Sequence, residues 1–277
     1  MAEEEANDFM IDMISGWVSG GCSIICSQPI DTILTRKQAG SAFRHKYNLH
    51  FVSLWRGSSA MISAIPFQNG MLMAGYGVGK RFTEDMKPNS VLLGVFFGGC
   101  TGGFIQSFLM SPVELIKVNQ QVIGRSLSSA ATLVSTNIFS NVGWKGLQAT
   151  LLRDGIPHGV WFASYEYCKS NLESMDMYQE NKSVHRSVIA LTSGAFAAAT
   201  AWGIGYPFDI IKTRIQTSTE PKSILRTAKD IVREANCNPA FALYKGFGLK
   251  LAKAVPASAI NFFVYEAIAE KLRGKNN

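Results

Sequence analysis

The sequence lacks the residue patterns on which metal-dependent, nucleotide-dependent and hydrolytic enzymes rely. It has no Gly-rich phosphate loop, no Ser-His-Asp candidate and no cysteine or histidine spacing of the kind that holds a metal ion. We therefore expect no catalytic residues, no metal and no cofactor. The cysteines are interpreted as buried free thiols: Cys22, Cys26, Cys100, Cys168 and Cys237.

The N-terminus also lacks the features of a cleavable targeting peptide. Its first residues, MAEEEAND, are acidic, without the basic start of a secretory signal or the Arg/Ser character of a transit peptide. Targeting information is therefore expected inside the chain. The net charge of +7 comes from bases spread over several segments, not along one aromatic-rich face, so we expect no nucleic-acid partner.

Long uncharged stretches are the main positive feature. Residues 58–79 and 91–109 contain no charged side chain. Small residues recur every fourth position at Gly94, Gly98 and Gly102, which allows helices to approach closely. A soluble bundle of buried helices is the alternative, but the missing charges favour helices that cross hydrocarbon, which takes about 20 residues. Six stretches are long enough: about 8–36, 57–80, 90–120, 146–170, 184–215 and 246–272.

Four sequence markers recur three times in the same order. Each copy has a proline followed two residues later by an acid, a glutamine nine residues after the proline, an aromatic-base-glycine triplet, and a tyrosine nineteen residues beyond that glycine. The chain is thus expected to be a single domain of three tandem two-helix repeats, about 8–88, 89–180 and 181–277. The prolines and tyrosines are Pro29, Pro112, Pro207, Tyr76, Tyr165 and Tyr265.

Charge asymmetry predicts the orientation of these repeats. Two crossings per repeat return the chain to its starting side, so all repeats share one orientation. The segments after the glutamines are predicted to form short surface helices and hold seven bases and three acids, whereas the opposite face holds six bases and nine acids. The positive-inside rule therefore places the repeat loops on the matrix-like side and both termini on the other side.

These motifs resemble the mitochondrial carrier family over nearly the whole chain. The family signature is Pro-x-Asp/Glu-x-x-Lys/Arg-x-Lys/Arg, followed by aromatic-base-Gly; the third repeat fits it fully, whereas Asn119 and Leu34 replace bases in the second and first. The resemblance implies an all-α membrane protein with six transmembrane helices in three pseudo-threefold repeats, each with a short matrix-side surface helix. It implies a transporter of the mitochondrial inner membrane, working as a monomer by alternating access, with cardiolipin as a lipid partner.

By the family's pattern, one gate closes the matrix side of a central cavity with ion pairs between the odd-numbered transmembrane helices. Asp209 has no base to meet in this pattern, because Leu34 occupies the position. Three glutamines match those that brace the pairs in the family: Gln38, Gln121 and Gln216. The expected pairs are Asp31 with Lys117, and Glu114 with Lys212.

The opposite, cytoplasmic gate uses an aromatic-acid-x-x-base motif on the even-numbered helices. In the family's ring order, Lys80 is expected to pair with Glu166, and Lys169 with Glu266. Because each gate then has two ion pairs, we expect neither closed state to dominate. The expected members are Tyr76, Lys80, Tyr165, Glu166, Lys169, Tyr265 and Glu266.

The family's substrate contacts lie midway along the even-numbered helices. Arg153 followed by Asp154 resembles the pair in carriers of amino acids, carnitine esters and related zwitterions, which need a base for the carboxylate and an acid for the ammonium. Lys253 supplies a second base, whereas His158 serves equally well as a packing residue. The expected substrate site is Gln68, Asn69, Arg153, Asp154, His158, Lys253 and Asn261.

The pattern favours exchange of a basic amino acid, or of carnitine and acylcarnitine. The first loop, 16 residues between Gln38 and Trp55, is similar to that of S-adenosylmethionine carriers, which is the alternative substrate class. A carrier-fold protein that organises membranes without transport is the alternative of another class. The charges retained at the central site favour transport.

Overall fold

The computed structural model describes residues 2–40, 51–86, 90–174, 182–218, 220, 222–235 and 238–273 of the chain; for residues 2–9, 182–187, 255, 262, 266 and 273 it describes the backbone alone. These residues form α-helices and no strand. The helices are α1 (Ala2–Ala39), α2 (Ser58–Met86), α3 (Val91–Val118), α4 (Leu127–Thr136), α5 (Leu147–Ser174), α6 (Lys182–Thr217), α7 (Ile224–Ala235), α8 (Pro239–Leu243) and α9 (Phe247–Arg273).

Six of these helices are long enough to cross a bilayer. They contain 27 to 38 residues, or about 40–57 Å at about 1.5 Å per residue, against a hydrocarbon core of about 30 Å. Among the described residues, four spans are also apolar enough to cross a membrane: Met10–Ala39, Val91–Ile123, Val188–Thr217 and Pro239–Leu272. Helices α2 and α5 are long but less apolar, and α5 carries the predicted substrate-site charges in its middle. The predicted all-α membrane fold is confirmed.

The long helices pack as a ring in chain order, α1, α2, α3, α5, α6 and α9. The ring closes because α9 runs antiparallel along α1: the Tyr265 hydroxyl donates to Asp12 at 2.8 Å near one end, and Ser23 donates to the Ala257 carbonyl at 2.8 Å farther along. Glycines allow α2, α3 and α5 to approach closely. A methyl group on Gly75 would lie 2.7 Å from the Gly102 Cα atom.

Prolines and glycines fix where the helices bend and begin. Each long helix contains one proline, which removes a backbone hydrogen bond and favours a kink. The marker glycines Gly57, Gly146 and Gly246 have φ angles of 88°, 89° and 98°, which side chains other than glycine rarely adopt. Each precedes an even-numbered transmembrane helix, so the three repeats turn in the same way.

The short helices lie at the end of the ring that we call the loop-helix end; the opposite end, where α1 begins and α9 ends, is the terminal end. Helices α4 and α7 correspond to the surface helices predicted for the second and third repeats. The one predicted for the first repeat falls mainly on residues 41–50, outside the described residues.

The cysteines differ in part from the prediction. The four that the structure describes are free, but Cys26 is exposed and Cys100 is the buried one, with Cys22 and Cys168 half-buried. The expectation of burial is therefore wrong for Cys26. Cys237 lies outside the described residues.

Candidate functional site

Three carboxylates converge inside the ring near the loop-helix end. Asp31, Glu114 and Asp209 each follow a helix proline by two residues, and they are 5%, 7% and 6% exposed. The Arg153 Nη1 atom lies 2.7 Å from a Glu114 oxygen and 3.5 Å from an Asp209 oxygen, so two of the acids share one guanidinium. We call these three carboxylates the acid ring.

The two ion pairs expected between the odd-numbered transmembrane helices, which are α1, α3 and α6, are both present. Lys117 of α3 lies 2.6 Å from Asp31 of α1. Lys212 of α6 contacts Glu114 of α3. These pairs join α1 to α3 and α3 to α6, and thereby draw the three proline-kinked helices together at the loop-helix end.

Each acid also meets a second base, which comes from an even-numbered transmembrane helix, either α5 or α9. Lys253 of α9 contacts Asp31, Arg153 of α5 contacts both Glu114 and Asp209, and Lys250 of α9 lies 3.1 Å from Asp209. Sequence reasoning assigned Arg153 and Lys253 to substrate and missed Lys250. The structure therefore joins the predicted substrate site and the predicted gate in one network.

Lys250 pairs with Asp209 in place of the base that the family pattern has at position 34, where this chain has Leu34. Leu34 is 2% exposed, and Arg36 points away from the acid ring, where its Nε atom donates to the Gln121 carbonyl at 2.9 Å. The Lys250 ammonium contacts Asp209 and also lies 3.9 Å from the Trp202 ring centroid, in a cation–π arrangement. One feature of the sequence could have indicated this role for Lys250. Lys250 and Lys253 are three residues apart, a spacing that places both on one face of a helix.

Two of the three predicted bracing glutamines contact the acid ring. Gln121 donates to Asp31 at 3.4 Å and to the Thr32 hydroxyl at 3.0 Å, and Gln38 donates to Asp209 at 3.2 Å. Gln216 does not: neither polar atom of its buried amide has a hydrogen-bond partner among the described residues. Its side chain instead packs under the turn at Gly146, so its predicted bracing contact is wrong in this conformation.

Arg153 and Asp154 form a bidentate pair with each other. The two nitrogen–oxygen distances are 2.6 and 2.7 Å, and Asp154 is 5% exposed. Asp154 lines the cavity but is paired with Arg153 through both of its oxygens in this conformation, so its assignment to a substrate ammonium stays a prediction. His158 has its Nδ1 atom 2.6 Å from the Asp154 carbonyl and its Nε2 atom 3.0 Å from the Gln106 amide nitrogen. Its ring is thus anchored to the helices.

A cavity of about 410 Å³ lies against this network. We call it the charged chamber. The acid ring and its bases line it, as do Gln68, His158 and Asn261 from the predicted substrate site. Asn69 does not line it and is exposed, because the next residue of a helix lies about 100° round from Gln68. That assignment is a further correction.

A second cavity of about 590 Å³ extends from the charged chamber toward the terminal end. We call it the aromatic chamber. The two chambers share four lining residues, so a single solute can occupy both. The shared residues are Arg153, Asp154, His158 and Trp202. The aromatic chamber is otherwise walled mainly by apolar and ring side chains, including Tyr76, Trp161 and Tyr165.

The predicted ion pairs are not formed at the terminal end. Lys80 lies 3.7 Å from Glu84 on its own helix, and no base lies within ion-pair distance of Glu166 in the described part of the chain. The predicted Lys80–Glu166 pair is thus absent from this conformation. The side chain of Glu266, the predicted partner of Lys169, lies outside the described residues. The loop-helix end is thus held by ion pairs between helices, whereas the described residues at the terminal end form none between helices.

Charged residues at membrane depth are tolerated when they face one another or a wet cavity, so this helix ring and its cavity define a membrane solute carrier. The family model described as "Mitochondrial carrier protein" matches residues 89–176 and 184–276. The chain belongs to the mitochondrial carrier family, whose members are transporters.

Named relatives cover almost the full length of the chain. It is 28% identical over 271 residues to the mitochondrial arginine transporter BAC2 of Arabidopsis thaliana, covering 92% of this chain and 89% of that protein. It is 24% identical over 283 residues to the mitochondrial ornithine transporter 1 of Saccharomyces cerevisiae, covering 94% and 95%. It is 25% identical over 282 residues to the mitochondrial carnitine/acylcarnitine carrier protein of Rattus norvegicus, covering 92% of each.

These relatives support the amino acid and carnitine subgroup of the family. The chain is accordingly a multi-pass carrier of the mitochondrial inner membrane that binds a small-molecule substrate.

Proposed function

We propose that the protein exchanges a small zwitterionic metabolite, a basic amino acid or carnitine and its acyl esters, by alternating access through a single domain of three repeats. The observation that carries the proposal is that the bases at the substrate position also hold the acid ring. Arg153 bonds Glu114, and Lys253 bonds Asp31. A substrate carboxylate that binds these bases necessarily competes with the acids that keep the loop-helix end closed.

Lys253 is the most exposed of the bases that hold the acid ring. Its side chain is 23% exposed, against 14% for Lys117, 13% for Lys250 and 4% for Lys212. A carboxylate bound to Lys253 weakens the hold of that lysine on Asp31. The contact between α9 and α1 loosens as a result.

Arg153 couples the substrate to the other two acids. Removing one partner from a buried ion pair costs about 3–5 kcal/mol, because the remaining charge stays buried without a partner. A substrate carboxylate on Arg153 replaces the partner that this guanidinium loses when Glu114 and Asp209 separate. A solute without a carboxylate provides no such replacement, so the gate stays closed and transport becomes dependent on the substrate.

The proposal also includes the orientation of the carrier in the membrane and the lipids around it. The excess of bases near the loop-helix end favours its placement on the matrix side, with both termini on the intermembrane-space side. Helix α7 presents Arg226, Lys229 and Arg233 there, which suits an anionic lipid such as cardiolipin. The protein acts as a monomer in this proposal, because the ring encloses the whole site.

Transport by purified protein in liposomes tests the proposal. Uptake of labelled arginine, ornithine, carnitine and S-adenosylmethionine is measured into liposomes with and without internal substrate. Arg153→Ala is expected to abolish uptake of every accepted zwitterion while the protein still melts cooperatively. Arg125→Ala, which removes an exposed arginine from a loop, is the matched control and should transport normally. Retained exchange in Arg153→Ala would overturn the proposed site.

A further inference from the structure

We infer that the substrate places its carboxylate in the charged chamber and its cation in the aromatic chamber, and that this cation is an alkylated ammonium. The inference rests on the proposed transport of a zwitterion and specifies its chemical class. It assigns to Trp161, Glu166 and their neighbours a binding role.

In this conformation every acid that lines the charged chamber is already paired with a base. Asp31, Glu114 and Asp209 each contact two bases, and Asp154 is held bidentately by Arg153. Five bases and four acids line the chamber, which leaves an excess positive charge that attracts an anion and repels a cation. The bases are Lys117, Arg153, Lys212, Lys250 and Lys253.

The aromatic chamber has the walls that bind a soft cation. The ring centroids of Tyr76 and Phe162 lie 4.8 Å apart, and those of Trp161 and Phe162 lie 5.0 Å apart at 88°. The Trp161 and Tyr165 rings are stacked at 5.8 Å. Rings that face a cavity from several directions attract a cation through their negative faces, the arrangement that recognises quaternary ammonium groups.

Glu166 adds a carboxylate to this chamber. It lines the chamber wall, and within the described residues no base lies within ion-pair distance of it, because Lys80 is turned toward Glu84. Its charge therefore acts on whatever enters the chamber. It is also the one acid of that lining, in the described residues, that Arg153 does not hold.

The lining distinguishes an alkylated ammonium from a primary one. A primary ammonium is strongly hydrated and brings three N–H donors that need acceptors. Apart from Asp154 and His158, which are bonded within the protein, the lining side chains with acceptors are Tyr76, Tyr165 and Glu166, while residues such as Leu72, Met73 and Val95 supply none. An alkylated ammonium leaves few or no donors unsatisfied and gains more from ring contact. Because the chambers adjoin at Arg153, one betaine-like molecule spans both.

A matched set of three carboxylates tests the inference on the full-length carrier in liposomes. The probes are γ-butyrobetaine, γ-aminobutyrate, and the neutral analogue in which tert-butyl replaces trimethylammonium. Their inhibition constants against the transported zwitterion, and their thermal shifts with purified protein, separate charge from apolar bulk. We expect γ-butyrobetaine to bind at least about tenfold more tightly than either of the others.

Two variants locate the effect. Glu166→Gln should reduce the preference over the neutral tert-butyl analogue about tenfold, because it removes the negative charge beside the cation, and Trp161→Leu should reduce the preference over γ-aminobutyrate about tenfold, because it removes a ring face. Glu173→Gln removes an exposed acid from the same end of α5 and should leave the preference intact. Equal or tighter binding of γ-aminobutyrate by the wild-type carrier, or an unchanged preference over the neutral analogue in Glu166→Gln, would overturn the inference. If no zwitterion of any kind is bound or transported, the proposed function itself is wrong.

Discussion

The two ends of the cavity are held by ion pairs of very different kinds. At the loop-helix end, three buried acids are shared among five helices, and the bases that hold them are 4–23% exposed. At the terminal end, the ion pair that the structure shows is Lys80 with Glu84, within one helix, at 39% and 52% exposure. An exposed pair at this spacing contributes about 0.3–0.5 kcal/mol, whereas breaking a buried one costs about 3–5 kcal/mol.

The comparison revises one sequence-based expectation. Two ion pairs at each gate predicted closed states of similar stability. The structure adds Arg153, Lys250 and Lys253 to the loop-helix end. We therefore predict that the state closed at this end is the resting state, and that substrate is needed to leave it.

The largest effect is expected from breaking the closed end. Glu114→Gln removes the ion-pair partner of Lys212 and one of the three acids that contact Arg153, and it leaves the Lys212 charge buried without that partner. We expect a loss of about 3–5 kcal/mol in the stability of the closed state, seen as a clear fall in the unfolding midpoint. Glu173→Gln is the control for removal of an exposed acid. A midpoint equal to that of the wild type would show that the buried network does not hold the end closed.

A smaller effect is expected from removing one base of the network and introducing another at a different position. Lys250→Leu should destabilise the closed end, because Arg153, at the longer distance, is then the one base that still contacts Asp209 among the described residues. Adding Leu34→Lys should restore much of that stability, since position 34 lines the chamber one turn from Gln38, which already bonds Asp209. The comparison is made by melting temperature and by exchange rate. A double variant no more stable than Lys250→Leu would contradict the role assigned to Lys250.

The smallest effect is expected at the terminal end. Glu84→Ala removes the exposed partner of Lys80 and should change stability by less than about 0.5 kcal/mol, or about 1–2 °C in the unfolding midpoint. Transport should continue. A loss as large as that of Glu114→Gln would mean that the two ends do not differ as described.

The sequence predicted those features that depend on spacing along one helix. The uncharged stretches predicted the long helices, and the acids after Pro29, Pro112 and Pro207 predicted the acid ring, because a repeated motif puts equivalent residues at equal depth. Likewise, Lys117 and Lys212 lie one turn beyond their motif acids on helices that converge. Both are found beside an acid of the neighbouring repeat.

What the sequence did not predict depends on how different helices sit against one another. Whether Lys250 or a residue at position 34 reaches Asp209 is decided by the relative depth of α9 and α6, which no motif encodes. The pairing of Asp154 with Arg153 is a choice of side-chain rotamer made by their surroundings. Gln216 carries the same motif position as Gln38 and Gln121 but packs under Gly146. The aromatic chamber likewise arises from rings on several helices.

Substrate-dependent opening of the loop-helix end is the central claim, and one labelling measurement tests it most directly. Thr35→Cys, which lines the charged chamber, is placed in a carrier whose native cysteines are replaced by serine. A membrane-impermeant thiol reagent is applied from the loop-helix side. We predict little labelling without substrate and a rate at least about tenfold higher with a transported zwitterion. Equal labelling with and without substrate would contradict the claim.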